Sequence, residues 1–186
     1  MAYLHFKTLN FNNNVRINPM SNTFVDYGVC INRNIGVVMY HQGRIAFYDI
    51  TNCKHGGISF QFTGCALAQF SHFGRKYIAH ISLHEVNSIY DTRRDWNSFL
   101  QNILDNNIQA QFVNFILFRP FDETAKILSI KYYPNGNCCG IIDSQNNCFS
   151  AILDKTNNYK ALQMWPTHKI KYVQNLTKFN IFELLL

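Results

Sequence analysis

Cys65 and His80, fifteen positions apart, are the residues of this chain whose types and spacing could carry out chemistry. They lie within FTGCALAQFSHFGRKYIAH, residues 62–80, where apolar residues alternate on either side of a glycine-bearing turn, the pattern of a β-hairpin. With a two-residue loop at His72-Phe73, Cys65 falls directly opposite His80; with the loop at Phe73-Gly74, His80 is its diagonal neighbour. Both registers place thiol and imidazole on one face. A thiol needs such a neighbour because the thiolate is the nucleophile and an ordinary cysteine is mostly protonated near neutral pH, so an imidazole must take the proton and later move it on. Gly64 allows tight backbone geometry and close substrate approach beside the sulfur. Thr63 can brace the turn with its hydroxyl, and the backbone N–H groups there can stabilise an oxyanion.

The elements that must position this pair read as short β-prone runs. Residues 1–22, with NFNNNVRINPMSN, have turn chemistry and form a loosely ordered arm. Strands follow at Phe24 to Asn32, Ile35 to His41 and Arg44 to Ile50, the last two joined by a two-residue hairpin loop at Gln42-Gly43. Ile58 to Cys65 and a strand ending near His84 come next. Asp91 to Asn107 is different: Trp96, Phe99, Leu100, Ile103 and Leu104 recur at helical spacing, with Asp91 or Thr92 as the cap. Beyond it lie strands at Ile108 to Phe118, Lys126 to Tyr133, Cys139 to Asp143 and Cys148 to Asp154, and a segment, Lys169 to Leu186, that reads equally as strand or short helix. The fold class is α+β and β-dominated: mixed or antiparallel sheets in a sandwich-like core, with one main amphipathic helix packed on it. At 186 residues the chain suits a single domain.

A formal net charge of +6 is spread along the chain rather than gathered into a basic tract, which points to an acidic protein surface as partner and away from nucleic acid. No classical signal peptide opens the sequence, and no apolar run reaches the ~20 residues of a membrane span. None of the six cysteines has CxxC spacing, so no zinc or redox motif is expected, and most should be reduced and buried as small hydrophobes. His84 shares the His80 face, but one cysteine and two histidines lack a fourth metal ligand. No metal or cofactor is therefore expected. Cys138-Cys139 enters a strand and reads as packing. Asp143 reads as turn chemistry, although a triad of Cys65 with a later histidine such as His168 would give it a catalytic use. His41, His55 and His72 fall at turns.

The Thr63-Gly64-Cys65 segment, followed by a hairpin and His80, resembles the Ser-Gly-Cys segment of the bacterial toxin glutamine deamidases of the cytotoxic necrotizing factor and Burkholderia lethal factor type. YIAHISL is also similar to the histidine strand of the chemoreceptor glutamine deamidases. The likeness covers about twenty residues, and Thr63 stands where that family has serine. It implies that Cys65 attacks the side-chain carboxamide of a glutamine in a target protein and that His80 moves the protons. It also implies a third element, an upstream backbone carbonyl expected in the Val25 to Val37 region. By the same resemblance the protein would be a monomeric effector, secreted by a specialised route and acting in a target-cell cytoplasm on a protein such as a small GTPase or translation factor. A transglutaminase or cysteine peptidase could use the same pair, and a β-rich binding or adaptor protein would simply bury it. For an enzyme, residues 52–57 (NCKHGG) and Asn135 to Asn137 are expected as walls of the substrate cleft, with Lys54, Arg75 and Lys76 at its mouth to receive an acidic docking surface.

Overall fold

Runs of β-branched and aromatic residues, broken by Gly, Asn and Asp, set the strand boundaries. The computed structural model describes residues 23–72, 74–83, 91–105, 114–122, 136–154 and 160–186. These form β1 (Phe24–Asp26), β2 (Gly28–Ile31), β3 (Ile35–Val38), β4 (Ile45–Asp49), β5 (Gly57–Phe60), β6 (Ala66–His72), β7 (Arg75–Ile81), α1 (Thr92–Asp105), β8 (Phe115–Phe118), β9 (Gly136–Ile142), β10 (Cys148–Asp154), β11 (Lys160–Pro166) and β12 (Lys171–Val173). A 3-10 turn follows at Ile181–Glu183. The fold is thus α+β and sheet-dominated. The arm expected at 1–22, the strand expected at Lys126 to Tyr133, the first part of Ile108 to Phe118, and His84 lie outside the described residues.

The strands make two six-stranded sheets. The first runs β1-β4-β7-β6-β8-β12 and the second β11-β10-β9-β5-β3-β2. Both are mixed, because β1 pairs parallel with β4 and β3 parallel with β5. The helix covers one face of the first sheet, setting Trp96, Phe99, Leu100, Ile103 and Leu104 against Phe47, Phe70, Tyr77 and Phe115. Asp91 caps its start by accepting the Arg94 N–H at 2.9 Å, and the Trp96 indole N–H donates to the Leu184 carbonyl at 3.0 Å. The opposite face of the first sheet, with Ala46, Leu67, Ile78, Ile116 and Phe118, meets Val38, Cys138 and Ile142 of the second. A smaller cluster on the far face of the second sheet contains Val37, Ile58, Phe60 and Cys139.

One expectation is corrected and one strand is added. A turn does form at Gln42-Gly43, with Gly43 at φ 65 and the Arg44 N–H donating to the His41 carbonyl at 3.2 Å, but it does not close a hairpin. It carries the chain from β3 in the second sheet to β4 in the first. Val37 and Val38 are both buried, as are Ile45, Ala46 and Phe47, so each strand carries core on both faces within its own sheet. The strand at β11 was not anticipated, since its exposed, weakly alternating sequence is that of an edge, which pairs only with β10.

Gly140 sets how closely the sheets approach beside the candidate site. A Cβ there would lie 2.5 Å from Pro120 Cγ and 2.8 Å from Leu67 Cδ2. Gly140→Ala is therefore expected to lower unfolding free energy by about 1–3 kcal/mol through overpacking, read as a lower urea midpoint with an unchanged slope.

Candidate active site

The hairpin that carries the pair is β6–β7, and its register is fixed by Leu67 opposite His80 and His72 opposite Arg75. The strands are therefore joined between His72 and Arg75, where Gly74 at φ 73 supplies the left-handed conformation a tight turn requires. Cys65 stands two residues before Leu67, at the entry to β6, so it is a diagonal neighbour of His80 on the same face. That face points between the two sheets. Both residues are buried there, Cys65 at 3% and His80 at 1% exposure.

The imidazole is held from three sides. Phe62 stacks on it with ring centroids 4.2 Å apart and planes 7° from parallel, and the half-buried Tyr40 lies at 5.2 Å with its ring tilted 58°. On the second sheet, the Ser59 hydroxyl is 2.8 Å from His80 Nδ1 and donates to the Val38 carbonyl at 2.7 Å. A hydroxyl has one proton to give, and Val38 receives it. Ser59 Oγ must therefore accept from the histidine, which assigns the second proton of the chain to Nδ1 and leaves Nε2 as a bare lone pair. Nε2 has no hydrogen-bond partner among the described residues, so the thiol and imidazole share a face without being hydrogen-bonded to one another. Burial pushes the His80 pKa down from 6.5 to about 3, which keeps the ring neutral at physiological pH.

The connection from β5 to β6 is tightly fixed. Gln61 at φ 65 and Gly64 at φ 150 turn the chain from one sheet to the other. The Asn137 side-chain oxygen accepts the Gln61 N–H at 2.8 Å, and the Cys138 carbonyl accepts the Phe62 N–H at 3.1 Å. Thr63, expected to brace this turn, is exposed at its crest, and its hydroxyl makes no hydrogen bond among the described residues. Asn137 does that work instead. Gly64 is buried immediately before the sulfur.

Of the expected cleft walls, Asn137 is at the Cys65 end and residues 52–57 are not. Lys54, Arg75 and Lys76 also lie away from the sulfur: Arg75 is at the loop of the hairpin, where it pairs with Asp49 at 3.2 Å, and the Lys76 carbonyl receives the Ile50 N–H. The seven-residue length of β6 puts roughly 20 Å between that end and Cys65. The docking role given to these three residues is withdrawn. Asp143 is turn chemistry, its carboxylate accepting from Gln145 and Asn147 N–H groups. Burial raises the thiol pKa of Cys139 and, to about 12, that of Cys148, as suits packing. No group of three or more metal-ligating side chains occurs among the described residues. Ser59, which meets His80 Nδ1, and Val38, whose carbonyl receives the Ser59 hydroxyl, are residues that the sequence reading missed. Known protein families, curated proteins and solved structures give no match to this chain.

Two outcomes follow from the buried imidazole. The unfolded histidine titrates near 6.5 and the folded one near 3, so between these values the unfolded chain binds the additional proton. This contribution to stability is complete above about pH 6.5 and is lost as pH falls, with a slope of up to about 1.4 kcal/mol per pH unit. Urea titrations at stepped pH should show the slope, and His80→Gln should flatten it. Ser59→Ala leaves the buried Nδ1–H without its acceptor and should cost about 1–3 kcal/mol. Nitrogen NMR of the ring should show Nδ1 protonated in the parent protein and lose that tautomer preference in the variant.

Proposed function

We propose that the protein is a cysteine-dependent protein-glutamine deamidase, with Cys65 as nucleophile and His80 as the base that activates it. The observation carrying this reading is the fixed tautomer: Ser59 and Val38 hold the proton on Nδ1, so the free lone pair of Nε2 belongs to a ring on the same face as the sulfur. The ring is neutral at rest, so its lone pair is available, and the opening that admits substrate must also hydrate it, because burial lowers its pKa to about 3 and weakens it as a base. Nε2 takes the thiol proton as sulfur attacks the carboxamide carbon of the glutamine. The imidazolium then gives that proton to the leaving nitrogen, and ammonia departs. Water attacks the resulting thioester with its proton passing to His80, and the sulfur is released as glutamate forms. By the resemblance of its Thr-Gly-Cys hairpin, the substrate is a folded protein such as a small GTPase or translation factor inside a target cell.

A carboxamide reaches a sulfur that is 3% exposed only if the connection between β5 and β6 lifts. The same burial favours a second reading, in which Cys65 and His80 are packing residues of a β-rich binding protein. The two readings separate in one assay. Incubated with small GTPases and translation factors, the parent protein should release ammonia and raise the mass of one of them by about 1 Da per glutamine converted. Cys65→Ala and Cys65→Ser should each lower that rate by at least ~1000-fold while preserving the circular dichroism spectrum, and Cys139→Ala should leave it intact. Equal turnover by Cys65→Ala, or no mass gain on any target, would leave the packing reading in place.

A further inference from the structure

Away from this site, a second pair of sulfurs meets at the edge of the second sheet. Cys30 lies on the edge strand β2, directly opposite Gly36 of β3. Directly opposed residues have Cβ positions ~5 Å apart. The place a Gly36 side chain would take is occupied from the other side: a Cβ there would lie 2.3 Å from Ile50 Cγ2 and 3.5 Å from Cys53 Sγ. Cys53 thus reaches over the glycine toward the residue that faces it, Cys30, and both belong to the cluster between the sheets. The charge and hydrogen bond of Cys30 are among the causes that, after burial, raise the Cys53 thiol pKa, and Tyr48 has both sulfurs among the charges that act on it. Cys30 is half-buried and Cys53 is 8% exposed, so one sulfur is open to a reagent and the other waits behind it.

We propose that Cys30 and Cys53 form a redox-active dithiol that closes to a disulfide in the presence of a peroxide. The Cys30 sulfur attacks a peroxide oxygen, the O–O bond breaks, and the leaving hydroxide takes the proton that the Cys30 thiol gave up, so that Cys30 becomes a sulfenic acid with release of one water. The Cys53 sulfur then attacks Cys30, the S–O bond breaks, and a second water leaves. Two thiols and one hydrogen peroxide give one disulfide and two waters, with the sulfurs oxidised and the peroxide reduced. The bond ties the edge strand β2 to the connection between β4 and β5, closing a loop from residue 30 to residue 53. It lies outside the Cys65 chemistry and does not depend on that reading.

The test is stoichiometric hydrogen peroxide on the full-length chain, followed by blocking of remaining thiols, intact mass and peptide mapping. The expected product has lost two hydrogens, has four blocked cysteines, and yields a cross-linked peptide joining Cys30 to Cys53. Dithiothreitol should reverse it. The oxidised form should melt about 5 °C or more above the reduced one, because the cross-link restricts the unfolded chain. Cys30→Ser and Cys53→Ser should each abolish the cross-link, and Cys139→Ser should retain it. A cross-link mapped to Cys138-Cys139, or Cys30 carried to sulfinic acid with Cys53 still blockable, would overturn the proposal. The peptide map of the unsubstituted chain decides the matter by itself if a serine variant fails to fold.

Discussion

The sandwich is organised around an imidazole that rests uncharged between two sheets. A protonated His80 would place a cation in a layer built from Leu67, Ile78, Phe62 and Phe118, whereas the neutral ring fits among them and asks only that its N–H be satisfied. Ser59 satisfies it, but only while β5, β3 and β7 keep their registers, since the hydrogen-bond chain passes through one residue of each. A one-residue slip of β7 would turn His80 toward the helix and bring an alanine or isoleucine to Ser59. The glycine at 140 and the turns at Gln61 and Gly64 serve the same constraint, because they set the separation of the sheets and the point at which the chain crosses between them.

Much of this was written legibly in the sequence where a period was present. The alternation around Phe73-Gly74 gave the β6–β7 hairpin, and its parity placed Cys65 and His80 on one face for either choice of loop. The helical spacing of Trp96, Phe99, Leu100, Ile103 and Leu104 gave α1, and β10 matches its expected bounds. What had no period was missed. Ser59 is one hydroxyl in an apolar strand, and Val38 contributes a carbonyl that every residue possesses, so neither carries a signature. The turn at Gln42-Gly43 was readable as a turn, yet turn chemistry does not say which sheet receives the next strand. Lys54, Arg75 and Lys76 were assigned to the wrong end because nearness in sequence to Cys65 disregards the length of the hairpin between them.

Burial separates the thiols by chemistry as well as by place. Cys139 and Cys148 are disfavoured as thiolates by the apolar layers that enclose them. Cys65, at the entry of β6, is buried at 3% exposure like Cys148, whereas Cys30, on an edge strand, is half-buried.

The tie between Trp96 and the carbonyl of Leu184 spans most of the second half of the chain, and the Leu186 N–H adds a second link to Asn97 at 3.1 Å. Strand β12 likewise completes its sheet only by returning to β8. During synthesis the helix therefore emerges long before the residues that close over it. Until residue 184 has left the ribosome, the indole N–H lacks its acceptor and one edge of the first sheet stands open. Chaperone demand should accordingly be concentrated in the interval between these two events, when an amphipathic helix and an uncovered strand edge are both presented to the cell.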